Sequence, residues 1–130
     1  MEKNVVGWFE IPVSDIDRAI KFYEDVFGYK LEKREMGPLN MALFPGGPNS
    51  EKSGAAGSLM QYDRFYKPSK EGALLYFNSP SGDLQNELDK VEKNGGEIVI
   101  QKTQITEEIG YMGVFVDSEG NHIALINPNS

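Results

Sequence analysis

Trp8-Phe9-Glu10-Ile11-Pro12-Val13, with a helix starting at Ser14, is the stretch that decides the fold, because the chain says it twice. Its echo is Leu74-Leu75-Tyr76-Phe77-Asn78-Ser79, with a helix starting near Ser81. In both copies a strand leads through a short cap into an amphipathic helix that stops at glycine, and another strand begins at once. Two copies of a half-barrel can close around one pocket. The duplication therefore also says which residues face each other across that pocket.

Working outward, the first strand spans Val5 to Pro12, with Phe9 and Ile11 on one side and Trp8 and Glu10 on the other. Ser14 is a suitable N-cap, with Asp17 in the capping-box position. Ile16, Ala19, Ile20, Tyr23, Val26 and Phe27 recur at helical spacing opposite charged residues, and Gly28 ends the helix as a left-handed cap. Strands are expected over Tyr29 to Met36, Asn40 to Phe44 and Gly57 to Tyr62, with Gly37-Pro38 as a turn and Pro45 to Ala56 as a loop. That loop lacks the Gly-Lys-Ser/Thr ending of a phosphate cradle.

After a crossover, the second half repeats the plan. A strand over Ala73 to Asn78 precedes a helix from Gly82 to Asn94 with a Leu84, Leu88 and Val91 stripe. Strands follow over Glu97 to Gln101, Gly110 to Asp117 and His122 to Asn127, with Lys102 to Ile109 as a loop and Ser118 to Asn121 as a tight turn. The chain divides into a first module over 1–62, a crossover over 63–72 and a second module over 73–130. The fold class is α+β, two βαβββ modules in one domain. So few helices cannot cover both faces of each sheet, so one face must meet its twin or another subunit.

Composition narrows the function classes. The 130 residues are 39% hydrophobic and 25% charged, ordinary for one soluble domain. With no long apolar run and no basic leader before an apolar stretch, a cytoplasmic protein without membrane contact is expected. The absence of Cys removes disulfides, thiolate nucleophiles and Cys-ligated metals. A net charge of -7 without clustered Lys and Arg argues against nucleic acid as a partner.

The chain resembles the vicinal oxygen chelate superfamily, which includes glyoxalase I, bleomycin-resistance proteins and extradiol dioxygenases. The residues that carry the resemblance are Val6-Gly7-Trp8-Phe9-Glu10-Ile11-Pro12-Val13-Ser14-Asp15, Ala19-Ile20-Lys21-Phe22-Tyr23 and Val26-Phe27-Gly28. Towards the other end they are Gly110-Tyr111-Met112 and Val114-Phe115-Val116-Asp117-Ser118-Glu119-Gly120-Asn121-His122-Ile123. Among its branches the chain is most similar to bacterial proteins related to lactoylglutathione lyase. The resemblance implies a cupped mixed sheet around a ligand cavity and a homodimer. The superfamily's enzymes hold a divalent metal with His, Gln or Glu from equivalent strand positions. Those positions fall on Trp8, Leu74, Ala124 and either Ser58 or Leu59. None is a strong ligand, so no metal site and no cofactor are expected.

The remaining candidates are few. Glu10 shares a strand face with Trp8, and its module twin is Tyr76; a carboxylate beside a phenol can act as a general base or anchor a polar ligand. Trp8 reads either as a pocket floor that stacks on an aromatic ligand or as a core tryptophan. Met60, Tyr62, Tyr66 and Tyr111 are candidate rim residues. His122 is the one histidine, placed toward the cup mouth for proton transfer, or else a turn-flanking residue. No nucleophile elbow and no convergent carboxylate pair stands out, and Glu24, Asp25, Glu87, Asp89 and Glu92 read as solvated helix faces. Three functions compete. They are a metal-free binder of an apolar or aromatic small molecule; a glyoxalase-related lyase, isomerase or dioxygenase using Glu10 or an unrecognised metal site; and a non-catalytic interaction or scaffold protein.

Overall fold

The computed structural model describes residues 5–46 and 54–128. The first module contains β1 (Trp8–Pro12), α1 (Ile16–Phe27), β2 (Glu32–Met36), β3 (Leu39–Leu43) and β4 (Ala56–Gln61). The second contains β5 (Leu75–Asn78), α2 (Leu84–Leu88), a 3₁₀ turn (Glu92–Asn94), β6 (Glu97–Thr106), β7 (Gly110–Val116) and β8 (His122–Asn127). The strands form two four-stranded sheets of one plan, ordered β1-β4-β3-β2 and β5-β8-β7-β6. In each, the opening strand runs parallel to the closing one and the other pairs are antiparallel. The chain thus adopts the expected α+β architecture, with its eight strands in two sheets rather than one continuous sheet.

Strand pairing fixes the faces. Phe9 lies beside Gly57 and Ile11 beside Leu59, on the face covered by α1; Trp8, Glu10 and Pro12 lie beside Ala56, Ser58 and Met60 on the other. In the second sheet Leu75 and Phe77 point to the core, whereas Tyr76 pairs with Ala124 and Asn78 with Ile126 on the opposite face. α1 buries Ile16, Ala19, Phe22, Tyr23, Val26 and Phe27. It serves both modules: Phe22 meets Phe115 at 5.8 Å and Phe27 meets Phe77 at 5.0 Å between ring centroids. Phe9 and Phe44 complete this aromatic core, each within 5.7 Å of Phe77. Each buried aromatic contributes roughly 2–3 kcal/mol of transfer free energy, so helix placement and sheet placement are settled together.

Several boundaries differ from the sequence-based expectation for local reasons. Asp15, not Ser14, caps α1: its carboxylate accepts from the Arg18 backbone N–H at 3.1 Å. Asp17, expected in a capping box, pairs instead with Lys33 at 2.9 Å. Gly28 does end the helix in the left-handed region, at φ 79°. The second helix is shorter than expected, five α-helical residues capped by Asp83 and then the separate 3₁₀ turn that ends at Gly95. Its stripe of Leu84, Leu88 and Val91 is buried as anticipated. β6 runs to Thr106, through the stretch from Lys102 expected to be a loop, because three register shifts against β7 break the alternation that would have marked it. Glu87 is not on a solvated face; it is 2% exposed and accepts from the Ser79 hydroxyl. The first strand begins at Trp8 rather than Val5, the second at Glu32 rather than Tyr29, and β5 at Leu75 rather than Ala73.

The duplication reaches down to single hydrogen bonds. Gln61 at the end of β4 accepts from the Ile16 N–H at 2.7 Å, and Asn127 at the end of β8 accepts from the Leu84 N–H at 2.8 Å. Each side-chain amide satisfies a donor that the start of a helix leaves open. A clasp between the modules has no such twin among the described residues. Glu119, in the turn between β7 and β8, accepts from the Ser14 and Asp15 N–H groups, both at 2.9 Å, and from Arg18 Nε and Nη2 at 2.6 and 2.9 Å. Beside it, buried Asp117 accepts from the Tyr23 hydroxyl at 2.7 Å, and Asn121 donates to the Pro12 carbonyl at 2.8 Å. Burial pushes the Glu119 carboxyl upward, but Arg18 and the two N–H groups outweigh it and hold the pKa below the usual glutamate value. For Asp117 burial prevails over its donors and the pKa is raised.

A Glu119→Gln change is expected to cost about 2–3 kcal/mol at neutral pH, because it removes the charge from an ion pair that is buried on the carboxylate side. Since the folded pKa is depressed, this stabilisation is present above the unfolded value near 4.5 and is lost as pH falls through the lower folded value. Urea unfolding of both proteins should therefore show a gap that narrows as pH is lowered below 4.5. A gap independent of pH would remove the ion pair from the account.

Candidate functional site

A cavity of about 450 Å³ opens at the seam where β1 and β4 face β5. Its walls are Phe9, Tyr29, Phe44, Leu75, Tyr76 and Phe77, with the small residues at 55–57 on one side and Asn78 at the rim. Phe9 and Phe77 come from the core faces of strands β1 and β5, and Tyr29 follows the Gly28 cap, so the ends of the duplicated elements build the cavity. Gly57 is required by the close approach of Phe9. A Cβ there would sit 2.4 Å from the Phe9 carbonyl oxygen and 2.6 Å from its ring. Burial first, and the neighbouring Glu87 charge second, raise the Tyr29 pKa, so its phenol stays a neutral hydrogen-bond donor.

A second, smaller recess of about 210 Å³ lies where β1 approaches β8 beneath the crossover. Its polar lining is Glu10, Lys67, Ser69, Glu71, Asn121 and His122. Tyr66 donates its hydroxyl to Glu10 Oε1 at 2.6 Å, and that bond raises the Tyr66 pKa. Lys67 Nζ is turned to the Asp63 carbonyl at 3.2 Å.

The structure distributes the sequence-predicted residues between these places. Tyr76 lines the larger cavity; Glu10 and His122 line the smaller one. Trp8 lies on the same face as Glu10, 42% exposed, and lines neither. Met60 is buried beside Pro12, and half-buried Tyr62 follows the end of β4. Tyr111 packs against the core under Lys102, whose Nζ stands 4.8 Å from the ring centroid. Sequence reasoning missed Tyr29, Phe44 and Phe77 as cavity residues, since apolar residues on the core side of strands and caps read as packing. The one available signal was Gly57, a glycine set beside an aromatic on the neighbouring strand.

Comparison with known proteins places this architecture. The sequence model of the bleomycin resistance protein-like N-terminal family matches residues 6–47. A glyoxylase-like domain-containing protein of Didymella fabae is 29% identical over 124 residues, covering 92% of this chain and 91% of that one. The glyoxylase/bleomycin resistance protein/dioxygenase domain from Frankia superposes with a TM-score of 0.72 at 15% identity, covering 98% of this chain and all of that one. The family-model match, the Didymella relative and the Frankia fold together support the vicinal oxygen chelate resemblance read from the sequence. Glyoxalase I from Zea mays superposes with a TM-score of 0.68 at 22% identity; the match covers 92% of this chain but only 44% of the maize chain, so this protein spans about half the maize enzyme's length.

Within that fold, the donor chemistry at the positions that the resemblance assigns to metal ligands does not fit a divalent ion. Trp8, Leu74 and Ala124 offer no metal-binding atom, and the Ser58 hydroxyl is turned to Met60 Sδ at 3.1 Å. Among the described residues, no three His, Asp or Glu side chains converge, and no helix is long and apolar enough to cross a membrane.

Gly57→Ala is expected to lower stability by about 1–3 kcal/mol, because the new methyl group meets backbone as well as the Phe9 ring. Gly7→Ala, where an added Cβ meets nothing within 4 Å, should leave the thermal midpoint near that of the wild type. Equal midpoints for all three proteins would show that Phe9 does not rest on β4 as described.

Proposed function

We propose that the chain is a small-molecule binding protein that takes an apolar, aromatic ligand into the seam cavity without a bound metal, as a cytoplasmic homodimer. The observation that carries this reading is the 450 Å³ cavity walled by the rings of Phe9, Tyr29, Phe44, Tyr76 and Phe77. That volume and lining suit a drug-sized planar molecule, for which aromatic walls supply stacking and apolar burial. The dimer rests on the sheet faces that carry no helix: Trp8, Met36, Tyr76 and Ile100 are each at least 41% exposed there, more apolar surface than a lone subunit usually leaves open.

N-Phenyl-1-naphthylamine, a neutral fluorescent arene, should bind saturably with one site per chain. Ala55→Trp, an exposed position at the cavity wall, should remove that binding while leaving the circular dichroism spectrum unchanged. Binding that survives the substitution would move the ligand elsewhere. By light scattering the wild type should have twice the chain mass, and Trp8→Lys should shift it toward the monomer; a monomeric wild type would end the dimer proposal.

A second reading has one observation in its favour. The Tyr66–Glu10 hydrogen bond and His122 meet at the smaller recess, where a carboxylate and an imidazole could move a proton in lyase or isomerase chemistry. The two readings separate on Glu10→Gln, which should leave naphthylamine binding unchanged in the first and abolish any turnover in the second.

A further inference from the structure

Building on the aromatic-ligand reading, we infer that the seam cavity is selective by charge: it takes uncharged ring systems bearing one hydrogen-bonding group and rejects their anionic counterparts. Among the described residues, every side chain that lines it is uncharged, and no Lys, Arg or His is among them. An anion entering the cavity would lose its hydration and meet no cation on these described walls to replace it. A charge that acts on one of its walls is of the same sign. Glu87, a buried residue of the second helix that accepts from the Ser79 hydroxyl, acts on the Tyr29 phenol at the cavity wall. The whole chain carries a net charge of -7, which adds to the repulsion. The polar groups that the cavity does offer are the phenols of Tyr29 and Tyr76 and the Asn78 amide. They suit a single amine, hydroxyl or carbonyl on an otherwise flat apolar molecule. The smaller recess beneath the crossover, by contrast, has Lys67 and His122 among its walls, so the exclusion belongs to the larger cavity alone.

The test uses two probes with one ring system. N-Phenyl-1-naphthylamine is neutral, and 8-anilino-1-naphthalenesulfonate is the same skeleton with one sulfonate. Only fluorescence that Ala55→Trp removes is counted as cavity binding. The neutral probe should bind at least about tenfold more tightly than the sulfonate at low salt. Asn78→Lys, which places a cation at the exposed rim, should bring the sulfonate to within about threefold of the neutral probe, read as the ratio of the two affinities so that loss of the Asn78 amide falls on both probes. Equal affinities in the wild type, or a sulfonate unaffected by the new lysine, would overturn the charge selection and leave the cavity as a binding site. Absence of cavity binding by either probe would overturn the binding reading itself.

Discussion

Glu119 holds the two halves of this molecule in one arrangement. Its carboxylate sits on the first turn of the other module's helix, taking the Ser14 and Asp15 N–H groups and the Arg18 guanidinium together. A negative charge at a helix start is favourable, and a buried carboxylate needs several donors to be tolerated there. With that end of α1 pinned to the second module, and Tyr23 hydrogen-bonded to Asp117, the helix can roll very little. The positions of Phe22, Tyr23 and Phe27 follow, and with them the aromatic core that both sheets share. The seam cavity is what remains where this core runs out toward the ends of β1 and β5.

The repeated module makes a pseudo-symmetric frame in which only part of the chemistry is repeated. Equivalent backbone positions carry equivalent tasks where the task is structural: Gln61 and Asn127 close the two helix starts, and Val13 and Ser79 donate to Met60 and Ile126 after the opening strands. At the exposed faces the copies have diverged. Glu10 beside Ser58 answers Tyr76 beside Ala124, so a frame able to present matched ligands to a metal presents one carboxylate and one phenol instead. The superfamily resemblance therefore speaks for the frame, and the residues on it speak for the function.

The helix of the first module, the last strand and the repeated order of elements were legible because their signals are local and periodic. Ile16, Ala19, Tyr23, Val26 and Phe27 mark a buried stripe that no other structure would satisfy, and Gly28 marks its end. The pairing of Glu10 with Tyr76 as twins was legible from the duplication. The clasp was not. Glu119 lies in a Ser-Glu-Gly-Asn turn whose polar composition is what any exposed turn would have, and nothing local says that it reaches residue 14. β6 was misread beyond Lys102 because its bulges cancel the alternation on which strand assignment rests. The cavity was missed for a related reason. Phe9, Phe44 and Phe77 are core residues by every sequence criterion, and only the spatial arrangement shows that they stop short of filling their space.

The clasp also bears on the order in which the chain can assemble. It joins residues 105 apart, so during synthesis α1 has only the Asp15 cap and the Gln61 carboxamide at its start until the last turn of the chain emerges. Contacts of such sequence separation form late, after the loop-closure entropy has been met, and they tie early elements to late ones. Until then the aromatic surface of the first module lacks Phe77 and Phe115, its partners in the folded chain. A duplicated architecture usually suggests two halves able to fold independently. Here the halves mature together, and the C-terminal turn completes a helix made near the beginning.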